Sequence, residues 1–454
     1  MSGQLAVGAV NREAALSDDH QHVFHSWSAQ NRADPVVVAG GKGSWFWDAD
    51  GRRYLDFSSQ LVFTNLGHQH PALVAAIHAQ AERLCTVAPA FANDVRGELA
   101  RLIAERAPGD LEMVFFTNGG TEANEHALRM ARLHTGRFKV LSAYRSYHGA
   151  TGASITMTGE PRRWGAEPGM PGVVHFVGPY LYRSAFAATT EEEEASRALA
   201  HLRQVVEFEG PSTVAAVLLE TVVGTNGVLV PPPGYLAGVR ALCDQYGIVM
   251  ICDEVMVGFG RVGEWFAVQA WDVVPDLITF AKGINSGYVP LGGVVISRRI
   301  AQTFAERPYP GGLTYSGHPL ACAVGVASIR TFEEEGILDH VRQLGQQVAG
   351  PQLRALAASH PCVGEVRGRG LMWAVELVRN RQSREMLVPF NASGADNEPM
   401  SRLAGACKEL GVWPFTHFNR IHVAPPLVIT ADELSDGIAR LDQALRVADE
   451  YVRD

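Results

Sequence analysis

The run Leu277-Ile278-Thr279-Phe280-Ala281-Lys282-Gly283 has the pattern of a short, buried strand that ends in a lysine. The chain has four lysines, and its other cationic side chains are arginines. Lysine can lose its proton near neutral pH and form a Schiff base with an aldehyde, whereas arginine cannot. The other three lysines (Lys42 in a Gly-rich loop, Lys139 entering a strand, Lys408 on a polar helix face) have the pattern of surface residues. Lys282 is therefore the first candidate for chemistry.

Short apolar runs of the same kind recur along the chain and alternate with stretches of helical periodicity. The predicted strands are 113–116, 140–143, 173–176, 215–219, 248–252, 277–280 and 294–296. Continuously apolar strands separated by helices indicate a mostly parallel sheet that is buried on both faces. We therefore predict an α/β fold, with a large domain at residues 71–318 built around a mostly parallel seven-stranded sheet.

The two ends of the chain have a different pattern. Residues 35–65 contain apolar runs joined by a Gly-rich turn and an Asp50-Gly51 turn, which is a good signal for antiparallel hairpins. From about residue 320 onward long helices return with a few strands, such as 371–375. We expect residues 1–70 and 319–454 to contribute to a smaller α+β domain.

Composition argues against several classes of protein. The hydrophobic fraction of 47% and the charged fraction of 19% are typical of a globular protein, and no stretch has the apolar length of a membrane span. The net charge of -9 and the lack of a basic stripe argue against a nucleic-acid partner. The N-terminus has no signal-peptide pattern, so we expect a cytoplasmic protein. Six scattered cysteines lack metal-ligand spacing, and we expect free thiols and no metal site.

Residues suited to binding an anion follow the first strand of the predicted sheet. In an open parallel sheet, ligands bind beyond the carboxyl ends of the strands. Gly119, Gly120 and Thr121 come directly after this strand and begin a helix. Backbone N–H groups at a helix start bind phosphate well, although the same residues also make an ordinary turn and cap.

An aromatic residue and two acids follow other strands. Tyr147 either stacks on a planar ligand or packs at a strand-to-helix turn. Glu220 and Asp253 end buried strands, where a carboxylate must be paired. Each acid either holds a protonated heterocyclic nitrogen or forms a structural ion pair with an arginine. Together with Lys282 and the anion site, these residues meet the needs of pyridoxal 5'-phosphate.

The chain resembles the class III aminotransferases, which are pyridoxal-phosphate enzymes of fold type I, over nearly its whole length. The motifs that carry the resemblance are Phe116–Asn124, Ser146–Gly149, Asp253–Val255, Phe280–Gly283 and Thr314–Pro319. The resemblance implies that Lys282 is the covalent anchor of the cofactor and that Asp253 is the partner of its pyridine nitrogen.

The resemblance also implies roles for other residues around the cofactor. Those expected to bind its phosphate, ring and ring substituents are Gly120, Thr121, Tyr147, Val255, His148 and Glu220. Gly119 stands where the family often has serine, and we assign it only a backbone role. Thr314 would reach the phosphate of a neighbouring subunit, which implies an obligate homodimer with shared active sites. A tetramer is the alternative.

The substrate is less well determined by the resemblance. Segments 142–163 and 178–194 are most similar to the branch that uses taurine or other ω-amino compounds with pyruvate. The position where many relatives have an arginine that binds a carboxylate is Phe415 here, so the candidates for this task are Arg420, Arg162 and Arg163.

The pocket near the first hairpin also differs from the family pattern. The family often has a tryptophan there, whereas this chain has Leu61-Val62-Phe63. We therefore expect a reshaped substrate pocket with Phe63 in its wall.

We predict a ping-pong transamination from an ω-amino compound (taurine, β-alanine or an amine) to pyruvate, with Lys282 as the proton carrier. Three alternatives stay open. One is an aminotransferase that uses 2-oxoglutarate with another donor, and a second is a racemase, mutase or decarboxylating enzyme on the same scaffold. The third is a non-enzymatic scaffold, against which the pairing of Lys282 with Asp253 argues.

Overall fold

The computed structural model describes residues 10–453, apart from the side chain of Arg32. The helices are α1 (Arg12–His22), α2 (Ser59–Val62), α3 (Pro71–Arg83), α4 (Asp94–Ala104), α5 (Gly120–Thr135), α6 (Gly152–Met157), α7 (Glu191–Glu209), α8 (Tyr235–Tyr246), α9 (Arg298–Gln302), α10 (Pro319–Glu334), α11 (Ile337–Leu344), α12 (Gly350–Ser359), α13 (Glu398–Glu409) and α14 (Ala431–Asp449). The strands are β1 (Val38–Lys42), β2 (Trp45–Asp48), β3 (Arg53–Phe57), β4 (Leu111–Thr117), β5 (Lys139–Ala143), β6 (Val173–Phe176), β7 (Val214–Glu220), β8 (Val249–Asp253), β9 (Leu277–Phe280), β10 (Gly292–Ser297), β11 (Val363–Arg369), β12 (Met372–Asn380), β13 (Glu385–Met386), β14 (Val412–His417) and β15 (Arg420–Val423).

The large sheet has seven strands in the order β4-β10-β9-β8-β7-β5-β6. Strand β10 runs antiparallel to both of its neighbours, and the pairs from β9 to β6 are parallel. Every residue of β7, β8 and β9 is buried, because one apolar core covers each face of the sheet. The predicted seven-stranded, mostly parallel sheet is thereby confirmed.

The second sheet contains strands from both ends of the chain. Its order is β1-β2-β3-β14-β15-β12-β11, and β13 pairs with β12. Strand β14 lies parallel to β3, which joins the N-terminal hairpins to the C-terminal part. A separate apolar core, which includes Phe57, Trp373 and Leu445, packs against this sheet. The small domain therefore has contributions from both ends, while its boundaries at residues 70 and 318 stay a prediction.

The Gly-rich segment around Lys42 differs from expectation. We expected a loop, but Gly40, Gly41 and Lys42 belong to β1 and pair with β2. A Cβ atom at Gly40 would lie 2.7 Å from the Trp47 ring, and one at Gly41 would lie 2.8 Å from the ring of His68. The glycines allow close packing against rings here, so their presence does not indicate a loop.

Helix starts in this fold follow the sequence closely. The side chain of Thr190 accepts a hydrogen bond from the backbone N–H of Glu193 at the start of α7, whose first turn is acidic. Thr430 and Glu433 form a capping box at the start of α14. Both ends satisfy N–H groups that a helix leaves free.

A fully buried arginine joins the two domains behind the lysine-bearing strand. The Arg261 guanidinium donates to the carbonyl oxygens of Leu371 (3.2 Å) and Pro425 (2.5 Å) in the small domain. It also donates to Ser59 Oγ at 3.2 Å and to Asn65 Oδ1 at 2.8 Å in the first hairpin region. Three separate segments therefore depend on one cation for their hydrogen bonds.

None of the helices between residues 10 and 453 combines the length and the apolar character needed to cross a lipid bilayer.

Candidate active site

The carboxyl ends of β4, β5, β7, β8 and β9 surround a cavity of about 410 Å³, which we call the main cavity. The residues that line it include Phe63, Gly119, Gly120, Thr121, Asn124, Tyr147, His148, Glu220, Thr225, Asp253, Val255, Met256 and Lys282. The sheet thus brings together every residue predicted to contact the cofactor within one chain. Thr314, Arg163 and Arg420 do not line it.

Lys282 lies two residues after the end of β9 and has a left-handed backbone, with φ of 48°. That conformation is rare for a residue with a side chain and is held in place by its surroundings. A Cβ atom at the next residue, Gly283, would lie 2.3 Å from Asn65 Nδ2, so this turn requires glycine. Burial lowers the pKa of Lys282, and the nearby carboxylates of Asp253 and Glu220 oppose that effect. The site therefore favours the neutral, nucleophilic amine more than water does.

Asp253 ends β8 and is held by three hydrogen bonds. Its Oδ2 accepts from Asn124 Nδ2 at 2.8 Å and lies 2.7 Å from His148 Nδ1. Its Oδ1 accepts from the backbone N–H of Val255 at 3.0 Å. Thr279 on β9 in turn donates to Asn124 Oδ1 at 2.8 Å, which orients the amide. The network orients a carboxylate that can accept a hydrogen bond from a protonated ring nitrogen.

A candidate anion site lies where α5 begins. Helix α5 has 16 residues, and Gly120 and Thr121 in its first turn line the main cavity. A Cβ atom at Gly120 would lie 2.7 Å from the Val255 side chain, so glycine lets the helix start approach the loop after β8. Thr121 Oγ1 lies 2.8 Å from Thr151 Oγ1 and accepts weakly from the backbone N–H of Ala150 at 3.2 Å. Free N–H groups and a hydroxyl at a helix start fit a phosphate.

Tyr147 follows β5 and lines the main cavity. The Arg162 guanidinium carbon lies 3.8 Å from the centre of the Tyr147 ring. Arg162 Nε also donates a short hydrogen bond to Glu160, which is buried and lies 3.4 Å from His417 Nε2 of the small domain. The Arg162 guanidinium therefore packs against the Tyr147 ring, which forms the aromatic wall of the cavity.

Glu220 is a buried acid that fixes the neighbouring backbone. Its Oε1 accepts from the N–H of Tyr147 at 2.9 Å, and its Oε2 accepts from the N–H of Gly224 at 2.7 Å. Burial raises the pKa of Glu220 to about 7, and the charge of Asp253 acts in the same direction. The carboxyl can therefore exist in either protonation state near neutral pH.

Phe63 reaches the main cavity from a strained turn. Three residues just before it, Ser59, Gln60 and Val62, have φ values of 45°, 62° and 58°. The buried carboxylate of Asp56 holds the turn by accepting from the backbone N–H and the side-chain amide of Gln60. A Cβ atom at Gly287 would lie 2.5 Å from the Phe63 ring, so the ring rests on that glycine.

Two of the arginines proposed for the substrate lie away from the cavity. Arg420 is fully buried, and its Nε lies 3.4 Å from Glu376 Oε2 inside the small domain. Arg163 Nη1 lies 3.1 Å from Glu167 Oε1. Arg162, behind Tyr147, is the candidate that lies nearest to the cavity wall.

Sequence reasoning missed two polar residues of the site, Asn124 and Thr279. Both are buried. Asn124 follows the apolar Ala123 on the face of α5 that packs on the sheet, and a polar residue at such a position needs a partner. That signal was available in the sequence, but the identity of the partner was not.

Comparison with known proteins agrees with this geometry. Residues 27–445 match the model of the family described as aminotransferase class III. The crystal structure of taurine:2-oxoglutarate aminotransferase from Bifidobacterium kashiwanohense, in complex with PLP and glutamate, is 43% identical with a TM-score of 0.94, covering 97% of this chain and 99% of that one. An (S)-enantioselective omega-transaminase from Thermomicrobium roseum is 38% identical with a TM-score of 0.91, covering 97% and 99%. Gamma-aminobutyrate transaminase 1 from Oryza sativa subsp. japonica is 33% identical over 92% of this chain and 83% of its own length.

Proposed function

Because this chain belongs to the class III aminotransferases, we propose that it moves an amino group from an ω-amino compound to pyruvate. The family is one of transaminases, and its cofactor is pyridoxal 5'-phosphate. The observation that carries the proposal is the placement of Lys282, the Asp253 network and the α5 anion site in one cavity. The cofactor needs an amine, an acid at its ring nitrogen and a phosphate site, and each of these follows a different strand.

The residues that would hold the cofactor can be named from their contacts. The start of α5 and Thr121 suit its phosphate, and Asp253 suits its ring nitrogen, since Asn124 and His148 hold that carboxyl group in place. When bound, pyridoxal phosphate supplies an aldehyde and a ring that accepts electrons.

The chain's own groups would then manage the protons. The buried Lys282 amine is held toward its neutral form, so its Nζ can take up a proton and return it. Glu220 holds the backbone N–H of Tyr147 and so keeps the aromatic wall in place. The proposed transfer is ping-pong, with the donor leaving as a carbonyl compound before the keto acid enters.

We assign the acid group of donor and acceptor to Arg162. Its Nη2 is buried and has no hydrogen-bond partner among the described residues, and its guanidinium lies directly behind the Tyr147 ring. Arg162 also pairs with Glu160, but Arg163 and Arg420 are the weaker candidates because their carboxylate partners, Glu167 and Glu376, do not lie beside the Tyr147 ring.

Pyruvate is the proposed acceptor because it has a single carboxylate. Among the described residues that line the main cavity, Lys282 is the one lysine or arginine. A dicarboxylate would need two cations besides the lysine that reacts. The second candidate is 2-oxoglutarate, which the name of the similar Bifidobacterium enzyme specifies for that enzyme.

We also propose a homodimer in which Thr314 completes the partner's phosphate site. Thr314 is exposed here, and its neighbour Tyr315 is 61% exposed. Phe91 is 63% exposed and belongs to an adjoining segment, since Arg96, which contacts Phe91, lies against Gly317. Clustered exposed aromatic side chains are typical of a protein interface. Analytical ultracentrifugation tests this, and a monomer at micromolar concentration would refute it.

The test of function is a screen of amino donors against keto acids. Taurine, β-alanine, 4-aminobutyrate and 1-phenylethylamine are each paired with pyruvate and with 2-oxoglutarate. We expect turnover of at least one ω-amino donor with pyruvate. Strict use of 2-oxoglutarate with an α-amino donor would contradict the proposal, and substrate loss without any keto acid would favour a racemase or decarboxylase.

Borohydride reduction of the cofactor-loaded protein is the matching chemical test. We expect a covalent adduct at Lys282 in the wild type and none in Lys282→Ala. Absence of the adduct in the wild type would support a scaffold without catalysis.

A further inference from the structure

A second cavity, of about 280 Å³, lies beside the main cavity at the carboxyl ends of β5, β6 and β7. Its wall is largely apolar, with Leu219, Leu229, Tyr235 and Leu236 among the lining residues. Glu220 lines both cavities. The function proposed above makes no use of this space.

One cation in its wall has no anionic partner. Arg145 lines the second cavity, and among residues 10–453 no carboxylate lies within 4.0 Å of its guanidinium. Its Nη1 is buried without a hydrogen-bond partner in the same part of the chain, and its guanidinium carbon lies 5.2 Å from the Tyr180 ring centre. The backbone of Arg145 is also left-handed, with φ of 62°. A partly buried cation of this kind is unfavourable without a counter-charge.

The surroundings of Arg145 increase the excess of positive charge. Four arginines lie around the buried carboxylate of Glu376: Arg145, Arg183, Arg367 and Arg420. Arg183 Nε lies 2.5 Å from its Oε1, and Arg367 Nη2 lies 2.8 Å from its Oε2. Glu365 is a second acid and pairs with Arg367. Glu220, which also lines the second cavity, is a third. The four arginines therefore outnumber these three carboxyl groups, and none of the three pairs with Arg145.

Burial strengthens the effect of this excess positive charge. Burial lowers the pKa of Arg145, and the charge of Arg420 adds to that effect. Charges interact more strongly at a protein interior than in water, so an added anion next to Arg145 would be bound favourably. Arg183 lines the same cavity as Arg145, and its charge acts on Arg145.

We propose that the second cavity binds an organic carboxylate with a compact apolar body. Its carboxylate would pair with Arg145, and its body would contact Leu219, Tyr235 and Leu236. A guanidinium binds a carboxylate with two parallel hydrogen bonds, which explains the choice of acid group. The apolar wall explains the body, because a hydrated inorganic anion would gain nothing from it.

The site would also communicate with the main cavity. Glu220 lines both spaces, and one of its oxygens holds the N–H of Tyr147. A ligand beside Glu220 therefore lies one residue away from the aromatic wall of the main cavity.

The experiment is a calorimetric titration of the holoenzyme with 3-phenylpropanoate. We expect saturable binding with one site per chain, and no binding of the neutral 3-phenylpropan-1-ol. Arg145→Gln should weaken binding at least tenfold. Arg203→Gln is the matched control, since Arg203 is exposed and contacts the side chain of Gln245 at 2.9 Å, and it should bind as the wild type does.

Two further variants keep the result decisive. Ala185 is exposed at the cavity wall, so Ala185→Trp should block the second cavity without disturbing the core, and binding should be lost. This variant decides the question if Arg145→Gln fails to fold. Arg162→Gln should bind 3-phenylpropanoate normally, because Arg162 belongs to the main cavity side. Wild-type affinity in Arg145→Gln or Ala185→Trp, no binding at all, or loss of binding only in Arg162→Gln would overturn the proposal.

Discussion

Replacing Asn124 by aspartate tests the network that holds Asp253. The two side chains have the same shape, so Asn124→Asp places a carboxylate oxygen about where the amide nitrogen now lies, 2.8 Å from Asp253 Oδ2. The same position is 2.8 Å from the carbonyl oxygen of His148. An ionised carboxylate there would face two acceptors and could donate to neither.

The size of the effect follows from the distance. Two unit charges 2.8 Å apart, at an effective dielectric constant of about 20, repel by about 6 kcal/mol, which corresponds to a pKa rise of roughly 4 units. The folded variant would therefore keep a proton that the unfolded chain loses near pH 4. Since the folded state then binds more protons, its stability falls as the pH rises. Between pH 5 and pH 8 the loss is up to about 4 kcal/mol, at 1.36 kcal/mol for each pH unit.

The assay is a urea titration of the cofactor-free protein at pH 5, 6, 7 and 8, followed by tryptophan fluorescence. We expect the free energy of unfolding of Asn124→Asp to fall by at least about 2 kcal/mol more than that of the wild type over this range, after His148 and Lys282 offset part of the repulsion. Asn391→Asp is the control, because Asn391 is exposed and its backbone, with φ of 58°, tolerates aspartate. If the curves of Asn124→Asp and the wild type run parallel from pH 5 to pH 8, the proposed coupling to Asp253 is wrong.

Three further outcomes are expected. Gly149→Ala should weaken cofactor affinity at least tenfold in a fluorescence titration, because the new Cβ atom would lie 2.2 Å from Thr121 Oγ1 at a φ of 135°, whereas Gly152→Ala, with no atom within 4 Å, should bind normally. Arg261→Met should lower the free energy of unfolding by at least about 3 kcal/mol in urea, since it leaves buried acceptors in three segments without a donor, and a loss below about 1 kcal/mol would contradict this. The free energy of unfolding of the wild type should fall between pH 5 and pH 8, because the pKa of the Glu220 carboxyl is raised to about 7 in the folded state. Glu220→Gln should remove roughly 3 kcal/mol of that fall. An unchanged slope would show that Glu220 does not titrate there.

Strand ends were the most predictable part of the site. Lys282, Asp253 and Glu220 each follow a continuously apolar run, and parallel strands bring their carboxyl ends to one edge of a sheet. That regularity is local, since it depends on hydrophobic pattern and chain direction alone. It was sufficient to place these three residues in one cavity.

Side-chain partners were much less predictable. The amide of Asn124 on α5 contacts Asp253 on β8 and Thr279 on β9. These partners are 129 and 155 residues away in sequence. Arg420 is the arginine nearest in sequence to Phe415, where relatives have a carboxylate ligand, yet it lies buried against Glu376 on the adjacent strand. Hydrogen-bond pairing over such separations depends on strand order and register, which no short motif specifies.

The sequence by itself determined the class of sheet and the lysine that ends its strand, and it indicated a candidate anion site at the start of α5, because these follow from hydrophobic period, residue chemistry and glycine. The tertiary structure alone decided which arginine lies behind Tyr147, which one pairs with Glu376, and that Arg145 lines a second cavity without a carboxylate. The physical reason is that the energy of a buried charge depends on every neighbour within a few ångströms, and those neighbours come from distant parts of the chain.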